Sequence, residues 1–222
     1  MYTKHNELII AASIIAADPL VLNQEIRTIE KAGADMLHLD VMDGNFVPNI
    51  TFGPYICKAI CQFSTLPVEI HLMINNPLQY IHLFADTDTA TPLIITVHIE
   101  SSDCMLSLIN TIKGHGCKAG IAISPDTPED RLSPFLNEVD HICVMTVNPG
   151  FGGQKFMDNK LPKIKSIKQQ ISNKQITLGV DGGVNALTSK QCIKEGADIL
   201  VAGNALFSGH SDNYPLNVSS LR

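Results

Sequence analysis

The residues able to do chemistry sit at the ends of short apolar, β-branched runs: His38-Leu39-Asp40, His71, His98-Ile99-Glu100 and Asp181. In an extended strand, positions i and i+2 face the same way, so the His38 imidazole and the Asp40 carboxylate project together. Two imidazoles and two carboxylates brought to one place form a site for a divalent transition metal, with room left for substrate oxygens. A strand-end His standing alone is more often a hydrogen-bonded core residue. The grouping is what points to a ligand set. A second group consists of glycines. Asn148-Pro-Gly-Phe-Gly-Gly-Gln154, Gly182-Gly183 and Gly203-Asn204 follow three successive apolar runs. Glycine lets exposed backbone N–H groups approach an oxyanion closely, which suits a phosphate; the plainer alternative is a set of tight turns.

These side chains need a scaffold that presents strand ends at one face. Candidate strands are Leu8–Ser13, Met36–Asp40, Val68–His71, Leu93–His98, Lys118–Ile123, His141–Thr146, Ile176–Asp181 and Ile199–Ala202, with amphipathic helical stretches between them. The first helix has Asp18 as N-cap, Pro19 at its first position, Leu22, Ile26 and Ile29 on one face and Gly33 as its stop. A later helix repeats the pattern with Leu161, Ile164, Ile167 and Ile171, and there Lys160, Lys163 and Lys168 read as its solvated face. Two helix-to-strand joints echo each other: Lys31-Ala-Gly-Ala-Asp35 and Lys194-Glu-Gly-Ala-Asp198. In each, Gly closes a helix and Ala-Asp precedes a buried strand.

Strands alternating with helices require right-handed crossovers and a parallel sheet, and eight such units close most naturally into a (β/α)8 TIM barrel. An open doubly wound sheet is the alternative, but it usually has fewer strands, and no Gly-x-Gly-x-x-Gly follows the first run. The expectation is a single domain over residues 1–222, with 208–222 a polar tail whose eighth helix is truncated or frayed. In a barrel, the C-terminal strand ends and the last βα loops form the ligand-binding mouth, with phosphate held by the late loops.

Composition narrows the function classes. The chain has 222 residues, 45% hydrophobic and 17% charged, enough for a sizeable core and too apolar for wholesale disorder. Sixteen Lys plus Arg against 22 Asp plus Glu leave a formal charge of −6, which argues against a nucleic-acid partner. No apolar stretch reaches the ~18 residues of a membrane span. Lys4 followed by Leu8–Ala17 imitates a signal peptide, but Glu7 in the region that should be basic and Asp18-Pro19 directly afterwards favour a cytoplasmic protein. Six scattered cysteines with no Cys-x-x-Cys pair fit reduced thiols.

Met36-Leu-His-Leu-Asp-Val-Met-Asp-Gly-Asn-Phe-Val-Pro-Asn49, Ile70-His-Leu-Met73, Val147-Asn-Pro-Gly-Phe-Gly-Gly-Gln154 and Val180-Asp-Gly-Gly183 resemble the ribulose-phosphate 3-epimerase family from Ile9 to about Phe207. The resemblance implies a (β/α)8 barrel that interconverts D-ribulose 5-phosphate and D-xylulose 5-phosphate in the pentose phosphate pathway. It implies one divalent metal per subunit held by His38, Asp40, His71 and Asp181, with Asp40 and Asp181 also serving as the acid/base pair. Zinc is the first expectation, with Fe²⁺, Mn²⁺ or Co²⁺ as alternatives. Ser13 matches a substrate-contacting Ser. Gly150, Phe151, Gly152, Gly153, Gly182, Gly183, Gly203 and Asn204 correspond to the phosphate site. Met42, Met73 and Met145 correspond to an apolar lining, against the plain reading of Met as core filler. A homo-oligomer is implied, and the partner is a small sugar phosphate rather than nucleic acid or membrane.

Several residues depart from the family's usual pattern: Ala12 for Pro, Glu69 for Asp or a neutral residue, Gly179 for Glu and Asn204 for Ser. None removes a metal ligand or either acid. The resemblance assigns His98 and Glu100 no catalytic role, and a structural hydrogen bond is the expectation for them. The nearest competing activity is epimerisation of a ketohexose 6-phosphate such as allulose 6-phosphate. A Schiff-base aldolase would need a Lys at a strand end in the mouth, and none is placed there. A non-catalytic sugar-phosphate sensor would not need both carboxylates.

Overall fold

In the computed structural model, which describes residues 8–87, 89 and 91–222, all eight apolar runs are strands. They are β1 (Ile9–Ser13), β2 (Met36–Met42), β3 (Val68–Met73), β4 (Leu93–His98), β5 (Lys118–Ile123), β6 (His141–Met145), β7 (Thr177–Asp181) and β8 (Ile199–Ala202). Each pairs in parallel with its neighbours in sequence, and β8 returns to β1, closing a barrel. The α-helices are α1 (Leu22–Lys31), α2 (Pro54–Phe63), α3 (Ile81–Ala85), α4 (Met105–Gly114), α5 (Leu161–Gln170), α6 (Thr188–Lys194), α7 (Asn204–Phe207) and α8 (Tyr214–Ser220). A 3-10 segment, Glu129–Phe135, takes the place of a helix between β5 and β6. Lys4 and Glu7 lie outside the described residues. Among the described residues, no helix is long and apolar enough to cross a membrane.

The repeated Gly-Ala-Asp joint has a mechanical reason. Gly33 and Gly196 both adopt positive φ, +97° and +100°, where a side chain would be strained. The Asp that follows then reaches sideways into the neighbouring strand. Asp35 accepts the Ile10 N–H at 2.8 Å and Asp198 accepts the Leu178 N–H at 2.8 Å. Asp140, entering β6, accepts the Ala119 N–H in the same way at 2.9 Å. Each carboxylate therefore fixes the register of one strand pair at the base of the barrel.

The main hydrophobic core fills the shell between strands and helices. It includes Ile26 and Ile29 of α1, Ile164 and Ile167 of α5, and outward strand residues such as Leu39, Ile70, Ile95 and Val144. Inside the barrel, a smaller apolar plug of Ala11, Met36, Ile94, Ile199 and Val201 closes the bottom. Above that plug the interior is polar: His38, Glu69, His71, Thr96, His98 and His141 are all fully buried. Buried polar groups at this density must satisfy one another.

Four local expectations are corrected. Asp18 caps a 3-10 turn, Pro19–Val21, accepting the Leu20 N–H at 3.0 Å, and the α-helix begins only at Leu22. Lys163 is not on a solvated face. It is buried, with Nζ donating to the Ser124, Pro125 and Thr127 carbonyls at 2.8, 3.1 and 2.5 Å, so it caps the chain leaving β5. Lys160 and Lys168 instead pair with Asp126 and Asp198. The stretch from Ser208 carries a short eighth helix, but it is not frayed, because the seven-residue α8 buries Tyr214 and Val218 and Leu221 follows it into the core. Finally, β2 and β3 continue past Asp40 and His71, pairing Val41 with Leu72 and Met42 with Met73.

Candidate active site

That last correction sets the depth of the site. Asp40 and His71 are not at the rim but one inward position below it, and the next inward residues, Met42 and Met73, stand above them. Register brings His38, Asp40, His71 and Asp181 together from β2, β3 and β7. The β2 and β7 arms are separated by β8 and β1, so the two carboxylates arrive from different sides of the barrel.

The four facing atoms are His38 Nε2, His71 Nδ1, Asp40 Oδ1 and Asp181 Oδ2. The His38 nitrogen lies 3.2 Å from Asp40 Oδ1, 3.7 Å from Asp181 Oδ2 and 3.3 Å from His71 Nδ1. The His71 nitrogen lies 3.5 Å from Asp40 Oδ1 and 3.6 Å from Asp181 Oδ2. Ligand atoms at ~2.0–2.1 Å around a tetrahedral ion stand ~3.3–3.4 Å apart. The donor set and its spacing therefore fit a metal ion, and these four residues could hold one.

The electrostatics are consistent with a site for a cation. Burial raises the Asp40 carboxyl, but the His38 and His71 imidazoles outweigh it and hold Asp40 well below the usual carboxylate range. Burial likewise disfavours charge on His38, yet Asp40 and Glu69 push its pKa well above the ordinary value. His71 is raised by Asp181 and Asp40 against the same opposition from burial. Carboxylates thus surround two imidazoles that take up positive charge readily when no other cation supplies it.

Around this set the partners are specific. Ser13, from the end of β1, donates to Asp40 Oδ2 at 2.6 Å. Thr51 donates to the Asp40 carbonyl. Glu69 sits beneath: its Oε2 is 3.0 Å from His38 Nδ1, and its Oε1 accepts the Thr96 hydroxyl at 2.6 Å. His141 Nε2 approaches that same Oε1 at 3.3 Å without hydrogen-bond alignment. Gly179 makes room for this ring, since a Cβ there would lie 2.8 Å from His141 Cε1. His98, on β4, has Nε2 2.9 Å from His71 Nε2 and Nδ1 3.0 Å from Glu100 Oε2. The expectation of a hydrogen bond for His98 and Glu100 holds, but the bond ends on His71 itself.

Above the four lies a cavity of about 370 Å³. Ser13, Asp40 and Asp181 form its floor, Met42, Met73 and Met145 part of its wall, and Gly150, Phe151, Gly152, Gly153, Gly182, Gly183, Gly203 and Asn204 its far side. The residues expected from the sequence to touch a substrate therefore border one space, except His71, which was also expected to touch it and instead lies with His38 just beneath. Gly182 and Gly183 there are demanded by contact as well as by conformation. Gly183 has φ +69° and a Cβ on it would lie 2.5 Å from the Phe156 backbone N. The Asn204 amide lies over the loop, where a Cβ on Gly153 would meet its Nδ2 at 2.9 Å. Gln154 Nε2 staples the loop to the Asn148 and Phe151 carbonyls at 2.7 and 2.9 Å.

Sequence reasoning gave Glu69 and Asn49 no role. Glu69 shares strand parity with His71 and Met73, which marks it as inward-facing. Asn49 Nδ2 donates to the Gly150 carbonyl at 2.7 Å, tying the β2 loop to the β6 loop, and no local signal announces a contact between residues so far apart in the chain.

Comparison with known proteins agrees with this geometry. The solved structure of a mutant tryptophan synthase alpha-subunit from the hyperthermophile Pyrococcus furiosus superposes with a TM-score of 0.71, covering 96% of both chains at 15% identity, which bears on the fold alone. The ribulose-phosphate 3-epimerase of Bacillus subtilis (strain 168) is 45% identical over 206 residues, covering 91% of this chain and 93% of the relative. That of Methanocaldococcus jannaschii is 41% identical over 215 residues, covering 96% and 89%. The model of the Ribulose-phosphate 3 epimerase family matches residues 9–207, and this chain belongs to that family.

Proposed function

We propose that this chain interconverts D-ribulose 5-phosphate and D-xylulose 5-phosphate by passing the C3 proton between substrate and two carboxyl groups, Asp40 and Asp181. The observation that carries the reading is their convergence: both reach the floor of one cavity, from β2 and from β7, on either side of the same point.

Inverting a carbon next to a ketone requires a proton to leave one face and another to arrive on the opposite face. One carboxylate takes the C3 proton; the C–H electron pair moves into a C2–C3 double bond and the carbonyl electrons move onto O2. The other carboxyl group then protonates C3 from the far side, and the double bond collapses back to the ketone. After one pass the two carboxyls have exchanged protonation states, and the reverse reaction restores them. Ser13 holds Asp40 Oδ2 in place. Met42, Met73 and Met145 keep water from the planar carbon, where random protonation would lose stereochemical control. A divalent metal, zinc by preference, held by His38, Asp40, His71 and Asp181, would act as a Lewis acid where negative charge builds on the substrate oxygens.

Gly150, Phe151, Gly152, Gly153, Gly182, Gly183, Gly203 and Asn204 hold the phosphate at the other end of the cavity. Three consecutive late βα loops with open backbone N–H groups support this assignment. The same reading makes the protein a cytoplasmic homo-oligomer; exposed Ile50, Tyr55, Leu78 and Tyr80 offer an apolar surface for a second copy. The test is steady-state turnover of ribulose 5-phosphate against allulose 6-phosphate. Preference for the pentose supports the assignment, and preference for the hexose overturns it.

A further inference from the structure

The two metal-facing imidazoles are backed differently. His38 turns Nε2 toward the site and presents Nδ1 directly to a buried carboxylate, Glu69, at 3.0 Å. His71 turns Nδ1 toward the site and presents Nε2 to another imidazole, His98 Nε2, at 2.9 Å. Two ring nitrogens facing each other share a single hydrogen, so the tautomer of one fixes the tautomer of the other.

The hydrogen has only one arrangement that leaves His71 able to ligate. A lone pair on His71 Nδ1 requires the hydrogen on its Nε2, which then donates to His98 Nε2. His98 must therefore carry its own hydrogen on Nδ1, facing Glu100 Oε2 at 3.0 Å. A carboxylate only accepts, and so it selects that tautomer. Ser124 Oγ, at 3.4 Å from His98 Nδ1, is a weaker neighbour that can donate or accept and selects neither. Glu100 is itself fixed, because its Oε1 accepts the Ser124 backbone N–H at 3.0 Å.

We propose that Glu100 and His98 are positioning residues that set the His71 tautomer, so that the carboxylate of Glu100 decides, two hydrogen bonds away, whether His71 Nδ1 offers a lone pair to the metal. This rests on the metal reading given under the proposed function. The converse arrangement shows what is at stake. With hydrogen on His98 Nε2, His71 would carry its hydrogen on Nδ1 and point it at Asp40 and Asp181, blocking the ion.

Glu100→Gln separates this role from mere packing. The side chain keeps its shape, but its one carbonyl oxygen cannot serve both the Ser124 N–H and the His98 Nδ1–H. The backbone N–H cannot change, whereas an imidazole can move its hydrogen. The NH₂ group is then left facing His98 Nδ1 and favours the blocking tautomers. The experiment measures Zn²⁺ affinity by chelator competition for wild type and E100Q, with thermal midpoints as the folding control, and reads histidine tautomers by ¹⁵N–¹H NMR. The expected result is a roughly 10–100-fold loss of Zn²⁺ affinity in E100Q, the range typical of lost outer-shell partners. Zinc-loaded wild type should show hydrogen on His71 Nε2 and His98 Nδ1, a readout that stands even if E100Q does not fold. Zinc-loaded wild type with hydrogen on His98 Nε2, or E100Q binding Zn²⁺ within twofold of wild type, overturns the relay alone. Wild type that binds no Zn²⁺ overturns the metal reading beneath it and the relay with it.

Discussion

Ser13 Oγ donates to Asp40 Oδ2 at 2.6 Å, while Asp40 Oδ1 faces His38 Nε2 at 3.2 Å, so the two oxygens of one carboxylate have separate partners. The β1 hydroxyl holds the oxygen that is turned away from the imidazoles. Hydrogen bonds to charged groups contribute ~1.5–3 kcal/mol. Ser13→Ala is therefore expected to lower kcat/KM by roughly tenfold to a hundredfold, using 1.4 kcal/mol per factor of ten. Steady-state kinetics checks this, and an unchanged kcat/KM would deny Ser13 any part in orienting Asp40.

Removing the metal should abolish turnover, and restoring Zn²⁺, Mn²⁺ or Co²⁺ should recover it. Full activity in chelator-treated protein shown by elemental analysis to be metal-free would take the Lewis acid out of the scheme.

The pH dependence has a definite direction. Burial opposes charge on His38 and His71, but the neighbouring carboxylates outweigh it and raise both above the ordinary histidine value. In metal-free protein the two rings therefore contribute stability that is fully present below the unfolded pKa of about 6.5 and is lost as pH rises through their folded values. Metal binding must displace those protons, so affinity should rise over the same interval. The gap between the thermal midpoints of loaded and stripped protein is expected to widen from pH 6 to pH 9. Calorimetric titration at pH 7 in two buffers should show proton release. A constant gap with no proton release would mean that the rings are neutral in the empty site.

The glycine loops can be tested at Gly183. Gly183→Ala places a Cβ against the Phe156 backbone at φ +69°. Left-handed strain alone costs ~1–3 kcal/mol, or roughly 2–12 °C in the midpoint for a chain of this size. KM for the sugar phosphate should rise with it. An unchanged KM would remove this loop from the phosphate site.

Much of this was legible in the sequence because the barrel has strong local signals: β-branched runs, amphipathic helices and Gly-Ala-Asp joints. His38 and Asp40 could be paired from strand parity alone. What the sequence hid depends on register between strands. Met42 and Met73 extend β2 and β3 and bury the polar layer, a consequence of pairing that neither strand shows by itself. Glu69 lies in an apolar run, and only the juxtaposition of β2, β3 and β6 makes it a partner of His38 and a close neighbour of His141. Lys163 looked like its solvated neighbours because its three carbonyl acceptors lie in a segment well upstream in the chain.

The most direct measurement is C3 proton chemistry in heavy water, run on wild type, Asp40→Asn and Asp181→Asn with the metal content of each determined. Wild type should deliver xylulose 5-phosphate carrying deuterium at C3. Each variant should lose interconversion by roughly 10²–10⁴-fold, the usual share of a positioned acid or base. Near-normal turnover in either variant, with the product still inverted, would contradict proton transfer by two opposed carboxyl groups.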